Sequence, residues 1–230
     1  MAGVWLEDLS WSDAKARFDA GAVVVVPIGA ISKEHGHQLP LKTDYLVARD
    51  LGRRVAAALP VVVAAEVSCA HYPAFVEYHG SQHLRSETFV ALLHDILGKF
   101  IGDGVRRLVV INTGVSTEAP LRVVVRDLYA ATKVRVHTAD IRMLGRKTRG
   151  LMKQKVGGHG DEAETSMILA IEPAAVRMDR AVVDYGNVLS EPDTVFYTPV
   201  VFDGDPRSGA DYSISGVRGD PTLATAEKGE

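Results

Sequence analysis

The chain of 230 residues carries 26 Lys and Arg against 29 Asp and Glu, a formal net charge of -3, and 47% of it is hydrophobic. The two signs are interspersed, which argues against a partner recognised by bulk charge, whether nucleic acid or an anionic membrane; the length suffices for one α/β domain, 1–230, with a sizeable core. A single cysteine, Cys69, rules out an internal disulfide and a Cys-rich zinc cluster and points to a reducing compartment, the cytoplasm.

The opening stretch MAGVWLEDLSWSDAKARF is acidic and lacks the basic and apolar regions of a signal peptide, and no run approaches a membrane span, so a soluble protein is expected. Val-rich runs at 22–29, 60–68, 106–114 and 133–140 are continuous rather than alternating, as strands covered on both faces require. Between them, 44–59, 86–102 and 119–131 place apolar residues at three- and four-residue spacing and read as amphipathic helices, with the SET at 86–88 as an N-cap signal. This alternation predicts an α/β fold, a three-layer α/β/α sandwich around a mainly parallel central sheet. In such sheets ligands bind beyond the carboxyl ends of the strands, so the polar loops after the first three runs are the candidate site. Beyond Pro173 the chain turns rich in Gly, Asp and Pro, and 202–230 reads as a long irregular tail.

Four segments carry chemistry. In GAISKEHGHQLPLKTD (29–44), Glu34, His35, His37 and Asp44 offer oxygen and imidazole donors suited to Zn²⁺, Mn²⁺ or Fe²⁺; the bland alternative is a solvated loop with Asp44 capping a helix. Neighbours on an extended chain point to opposite sides, so Glu34 and His35 reach one ion only if the chain bends. In GGHGDEAETSMILAIEP (157–173), a Gly-rich turn delivers His159 and then three carboxylates at a helix start. The helix dipole accounts for Asp161 and Glu162, whereas Glu164, next to Thr165, Ser166 and an apolar run, is expected on the buried side and in need of a cation. INTGVSTEAP (111–120) offers Ser116 and Thr117, either to cap the next helix or to hold a substrate oxygen. HYPAFVEYHGSQH (71–83) is a loop too long for a turn, read as a binding wall or as a structural contact.

HGHQLPLKTD, with His35, Gly36, Leu39, Pro40 and Asp44 in register, resembles the Glu-x-His-Gly-x-His-Leu-Pro motif of the creatininase, or creatinine amidohydrolase, family. His159 with ETS at 164–166 is similar to a second motif of that family, and GVRGDPTLATAEKG (216–229) to its C-terminal stretch; the resemblance spans residues 23–229. It implies a dinuclear centre of Zn²⁺, Mn²⁺ or Fe²⁺ with a bridging Asp, here Asp44, and water, hydrolysis of a cyclic or linear amide of a small molecule, and homo-oligomers, often hexamers. By the same resemblance His35, Asp44 and Glu164 are metal ligands and His159 handles protons, with Glu164 also catalytic. Lys33, however, stands where the family has its first Glu, the acid having moved to Glu34, while Gln38 and Gly114 stand where it has His. Three outcomes stay open: one ion on His35, Asp44 and Glu164 with Glu34; the Lys33 ammonium in place of an ion; or a non-catalytic binding or assembly protein. Lys33, His37, Ser116 and Thr117 are the candidate substrate contacts.

Overall fold

The computed structural model describes residues 2–185 and 213–230. The chain divides into two compact units, one of Met1–Ala30, Val47–His71 and Leu84–Arg146, the other of Ile31–Leu46, Tyr72–His83 and Lys147–Glu230.

The first unit holds the sheet. Strands β1 (Val4–Trp5), β2 (Val23–Ile28), β3 (Val62–Val63), β4 (Arg107–Asn112) and β5 (Val136–Asp140) lie in the order β1-β3-β2-β4-β5, and every pair is parallel. Helices α1 (Trp11–Asp19), α2 (Thr43–Ala58), α3 (Ser86–Gly102) and α4 (Glu118–Thr132) alternate with them, and helices lie on both sides of the sheet. Val25, Val63 and Ile111 form one face of the sheet and pack with Ala56, Leu51 and Val55 of α2. By strand alternation Val24, Val26, Leu108 and Val110 point the other way, and all four are fully buried. Covering both faces explains why these runs are apolar without interruption.

The predicted strands and helices thus stand where the Val runs and amphipathic segments place them. Three details differ. β1 and α1 carry no signal strong enough to read, since β1 has two residues and α1 buries none. Ser86 is the first residue of α3 rather than its cap, a position held by Arg85 without a side-chain hydrogen bond. Thr117 precedes α4 but does not cap it; its hydroxyl donates to Asn112 Oδ1 (2.6 Å) and the Gly114 carbonyl (2.7 Å), closing the turn upon itself.

In the second unit, α6 (Glu162–Ile171) follows the Gly-rich turn, and a short terminal helix α7 (Ala226–Gly229) lies against it; α5 (Ile141–Leu144) precedes them in the first unit. The described end of the chain is no irregular tail. His159 and Arg218 pair through His159 N–H to Arg218 O (3.3 Å) and Arg218 N–H to His159 O (2.8 Å), and Asp184 pairs with Gly219. Val217 is fully buried. Residues 202–212 of the expected tail lie outside the described residues.

Candidate metal centre

Lys33 and His35 lie two residues apart in the loop that follows β2. Both reach one carboxylate. Asp44, in the first turn of α2, accepts from Lys33 Nζ at Oδ2 (2.8 Å) and lies 3.0 Å from His35 Nε2 at Oδ1. It is a paired, buried group within the first turn of the helix. His35 is fully buried, and its Nδ1 lies 2.9 Å from the Lys33 carbonyl. Both ring nitrogens therefore face acceptors, whereas a neutral imidazole has one proton to give.

Glu34 points the other way and meets a second histidine. His159 Nε2 lies 2.7 Å from the Glu34 carbonyl and 3.1 Å from Glu34 Oε2, while its Nδ1 lies 3.7 Å from Glu164 Oε2. The two imidazole rings sit 4.7 Å apart. The chain closes around them on glycines. A Cβ at Gly160 would lie 2.9 Å from the His35 carbonyl oxygen, and one at Gly216, where φ is +75°, would lie 1.9 Å from Glu34 Oε1. The 71–83 loop supplies a wall: the Phe75 ring is 4.3 Å from that of His159 and 4.9 Å from Lys33 Nζ, and Ser81 Oγ accepts the Glu34 N–H.

Helix α6 brings the last acid. Asp161 caps it by accepting the N–H groups of Ala163 (2.9 Å) and Glu164 (3.0 Å), and Glu164 turns back to accept the Gly160 N–H (2.6 Å). Glu164 is 24% exposed at its side chain, whereas Glu162 is fully buried and paired with Lys228. The expectation that Glu164 is the buried acid of this turn and Glu162 mere decoration is thus reversed. The ETS stretch is otherwise wholly engaged: Thr165 Oγ1 accepts from Gln38 Nε2 (3.2 Å), and Ser166 Oγ donates to Glu162 O and accepts the Thr225 N–H.

Lys33 and Asp44 hold each other in their charged forms. Burial opposes the ammonium of Lys33, but Asp44, then Glu164 and Glu34, outweigh it and raise its pKa. Burial likewise opposes ionisation of Asp44, yet Lys33 and His35 hold its carboxyl well below the usual range. His35, His159 and Glu164 each offer a ligand atom, all within 4.8 Å of one another. The spacing of His35 Nε2 and Asp44 Oδ1 is also what two ligands of one ion adopt, roughly 3.0–3.4 Å for bonds of about 2.1 Å. The residues fit a divalent ion with nitrogen and oxygen ligands.

Of the other residues singled out, His37 is exposed in the turn of the same loop, and Ser116, half-buried, and Thr117, buried, belong to the first unit. Gly114 offers no ligand, and a Cβ there would lie 2.8 Å from Thr117 Oγ1. Phe75, Gly216 and the Glu162–Lys228 pair escape the sequence; Glu162 alone left a trace, by sharing a helical stripe with buried Thr165 and Ser166.

A parallel α/β sheet accompanied by a buried cluster of two imidazoles and three carboxylates is the equipment of a metal-assisted hydrolase. The creatinine amidohydrolase (creatininase) family model matches residues 7–230, and the chain belongs to that family. It is 29% identical to creatinine amidohydrolase of Pseudomonas putida over 99% of this chain and 90% of the relative. It is 30% identical to the mycofactocin precursor peptide peptidase of Mycobacterium tuberculosis over 90% and 78%. A solved creatininase mutant of Zn–Zn type superposes with a TM-score of 0.79 at 23% identity, covering 100% of this chain and 92% of that one.

Proposed function

We propose that the protein is a metal-dependent hydrolase cleaving a C–N bond, an amide or lactam, in a small polar molecule. The observation that carries this reading is His35, buried with acceptors at both ring nitrogens and its Nε2 3.0 Å from Asp44; a cation at Nε2 resolves that arrangement. His35, Asp44 and Glu164 hold the ion, which is Zn²⁺, Mn²⁺ or Fe²⁺ by donor type. When bound, such an ion polarises a carbonyl and acidifies water enough to supply hydroxide near neutral pH.

The protein's own groups do the rest. His159 holds and passes the proton, with Glu34 behind its Nε2 and Glu164 facing its Nδ1. Burial opposes a charge on this ring, but Glu34 and then Glu164 outweigh it and raise its pKa, as suits a group that carries a proton during part of the cycle. Phe75 covers the His159 ring and restricts water there. Glu34 is assigned to His159 and to the Gly36 N–H rather than to the ion. Lys33 is assigned to Asp44 rather than to substrate.

The test is metal content and turnover in parallel. His35→Ala and Asp44→Ala should lose metal together, with affinity falling by about 10–100-fold or more. His159→Asn should keep its metal and lose roughly 10²–10⁴ in kcat on lactams or short peptide amides. Protein purified after expression with Zn²⁺ and Mn²⁺ supplied, yet free of transition metal, overturns the reading; metal without turnover on any amide leaves a binding or assembly protein on this fold. Homo-oligomeric assembly up to a hexamer, supported by the family resemblance, and a cytoplasmic location, supported by the single Cys69, belong to the same proposal. Light scattering on the purified protein checks the former. Among the described residues no helix is long and apolar enough to cross a membrane.

A further inference from the structure

We propose that the Lys33 ammonium stands in for a second cation, so that the centre takes one divalent ion and not two. This rests on the metal-dependent reading above and fixes its stoichiometry.

Lys33 is 6% exposed, and its Nζ lies 2.8 Å from Asp44 Oδ2. The other oxygen of Asp44 faces His35, so ammonium and imidazole divide the carboxylate between them. Glu164 and Glu34 act on the same ammonium at longer range, and the Phe75 ring lies 4.9 Å from Nζ, a cation–π contact. A second metal ion on Asp44 Oδ2 would have to displace this charge.

Electrostatics works in the same direction. Lys33 already places one positive charge against the buried Asp44 carboxylate, and a second ion there would bring two more into the site beside it, which like-charge repulsion and desolvation both penalise. Asp161, the other buried acid nearby, is engaged elsewhere: its oxygens accept the N–H groups of Ala163, Glu164 and Gly158 and the Gln154 amide at the helix start. The Lys also stands at the position where the motif that this segment resembles carries an acid.

The experiment counts ions without using activity. Wild-type protein, stripped by chelator and titrated with Mn²⁺, should bind one equivalent at the cluster and show the spin-resonance spectrum of isolated Mn²⁺. Lys33→Glu, which replaces the ammonium beside Asp44 with a further carboxylate, should bind two equivalents with an exchange-coupled spectrum. Two coupled ions in the wild type overturn the inference while leaving the metal-dependent reading intact, and this arm needs no variant to fold. A folded Lys33→Glu protein that still binds one ion also overturns it. No binding by wild type removes both readings together.

Discussion

Glu162→Gln isolates one buried charge outside the metal centre. Glu162 is fully buried; its Oε1 accepts from Lys228 Nζ, and its Oε2 accepts the N–H groups of Lys153 (2.8 Å) and Gln154 (2.7 Å). The amide has one acceptor for these two groups of donors, so either the backbone pair or the ammonium, 15% exposed at its side chain, ends facing an NH₂. Breaking one side of a buried pair costs about 3–5 kcal/mol, and in a chain this long each kcal/mol moves the unfolding midpoint by ~2–4 °C, which gives a drop of roughly 6–20 °C. The pH dependence has a definite sign. Burial pushes the Glu162 pKa up, but Lys228 and the N–H groups of Gln154 and Lys153 prevail and lower it below its ordinary 4.5. Its contribution is therefore complete above that value and lost as pH falls through the folded pKa. Thermal unfolding followed by circular dichroism in chelator, from pH 7 down to pH 3, should show the wild type converging on Glu162→Gln as acid is added. A drop under about 2 °C at pH 7, corresponding to less than roughly 1 kcal/mol, or parallel acid profiles, would refute the assignment.

Gly216→Ala should destabilise more than Gly21→Ala and should also weaken metal binding. Both glycines have φ of +75°, but a Cβ at Gly21 meets nothing within 4 Å whereas one at Gly216 collides with Glu34. Backbone strain of about 1–3 kcal/mol is common to both, so the difference in urea midpoint measures the collision; equal losses would show that Glu34 yields freely. Lys33→Met and Asp44→Asn should each cost about 3–5 kcal/mol in chelated protein, and the double variant should cost less than their sum by roughly 0.5–3 kcal/mol. Strict additivity in that cycle would mean the two groups are not paired without metal.

The sheet was legible because a strand buried on both faces has to be apolar at every position, and the first three Val runs satisfy this, whereas β5 at the sheet edge, with His137, Thr138 and Asp140 and no buried residue, does not. The first motif was legible through its resemblance to a family motif, and from the residues alone only the separation of Glu34 from His35 by alternation could be read; that Lys33 and His35 share Asp44 is a finding of the structure. What could not be read is the rotational phase of α6. Residues 162 and 164 differ by about 200° around a helix, and which of them turns inward depends on where the helix begins. Asp161 caps it, Glu162 becomes its first residue, and the inward stripe then runs through Glu162, Thr165 and Ser166 toward α7. That leaves Glu164 half-exposed, facing His159. The partner of Glu162 lies 66 residues away, a separation at which no local pattern signals a contact. The same holds for Gly216, whose meaning depends on Glu34 being beside it. Each of the three resembling segments thus holds residues whose roles are set by another: 33–44 by 159–165 through Glu34 with His159 and Gln38 with Thr165, and both by 216–218 through Gly216 and the pairing of His159 with Arg218. A substitution in any one of them should therefore be felt at the imidazole pair, which is why the terminal segment belongs to the centre rather than to a tail.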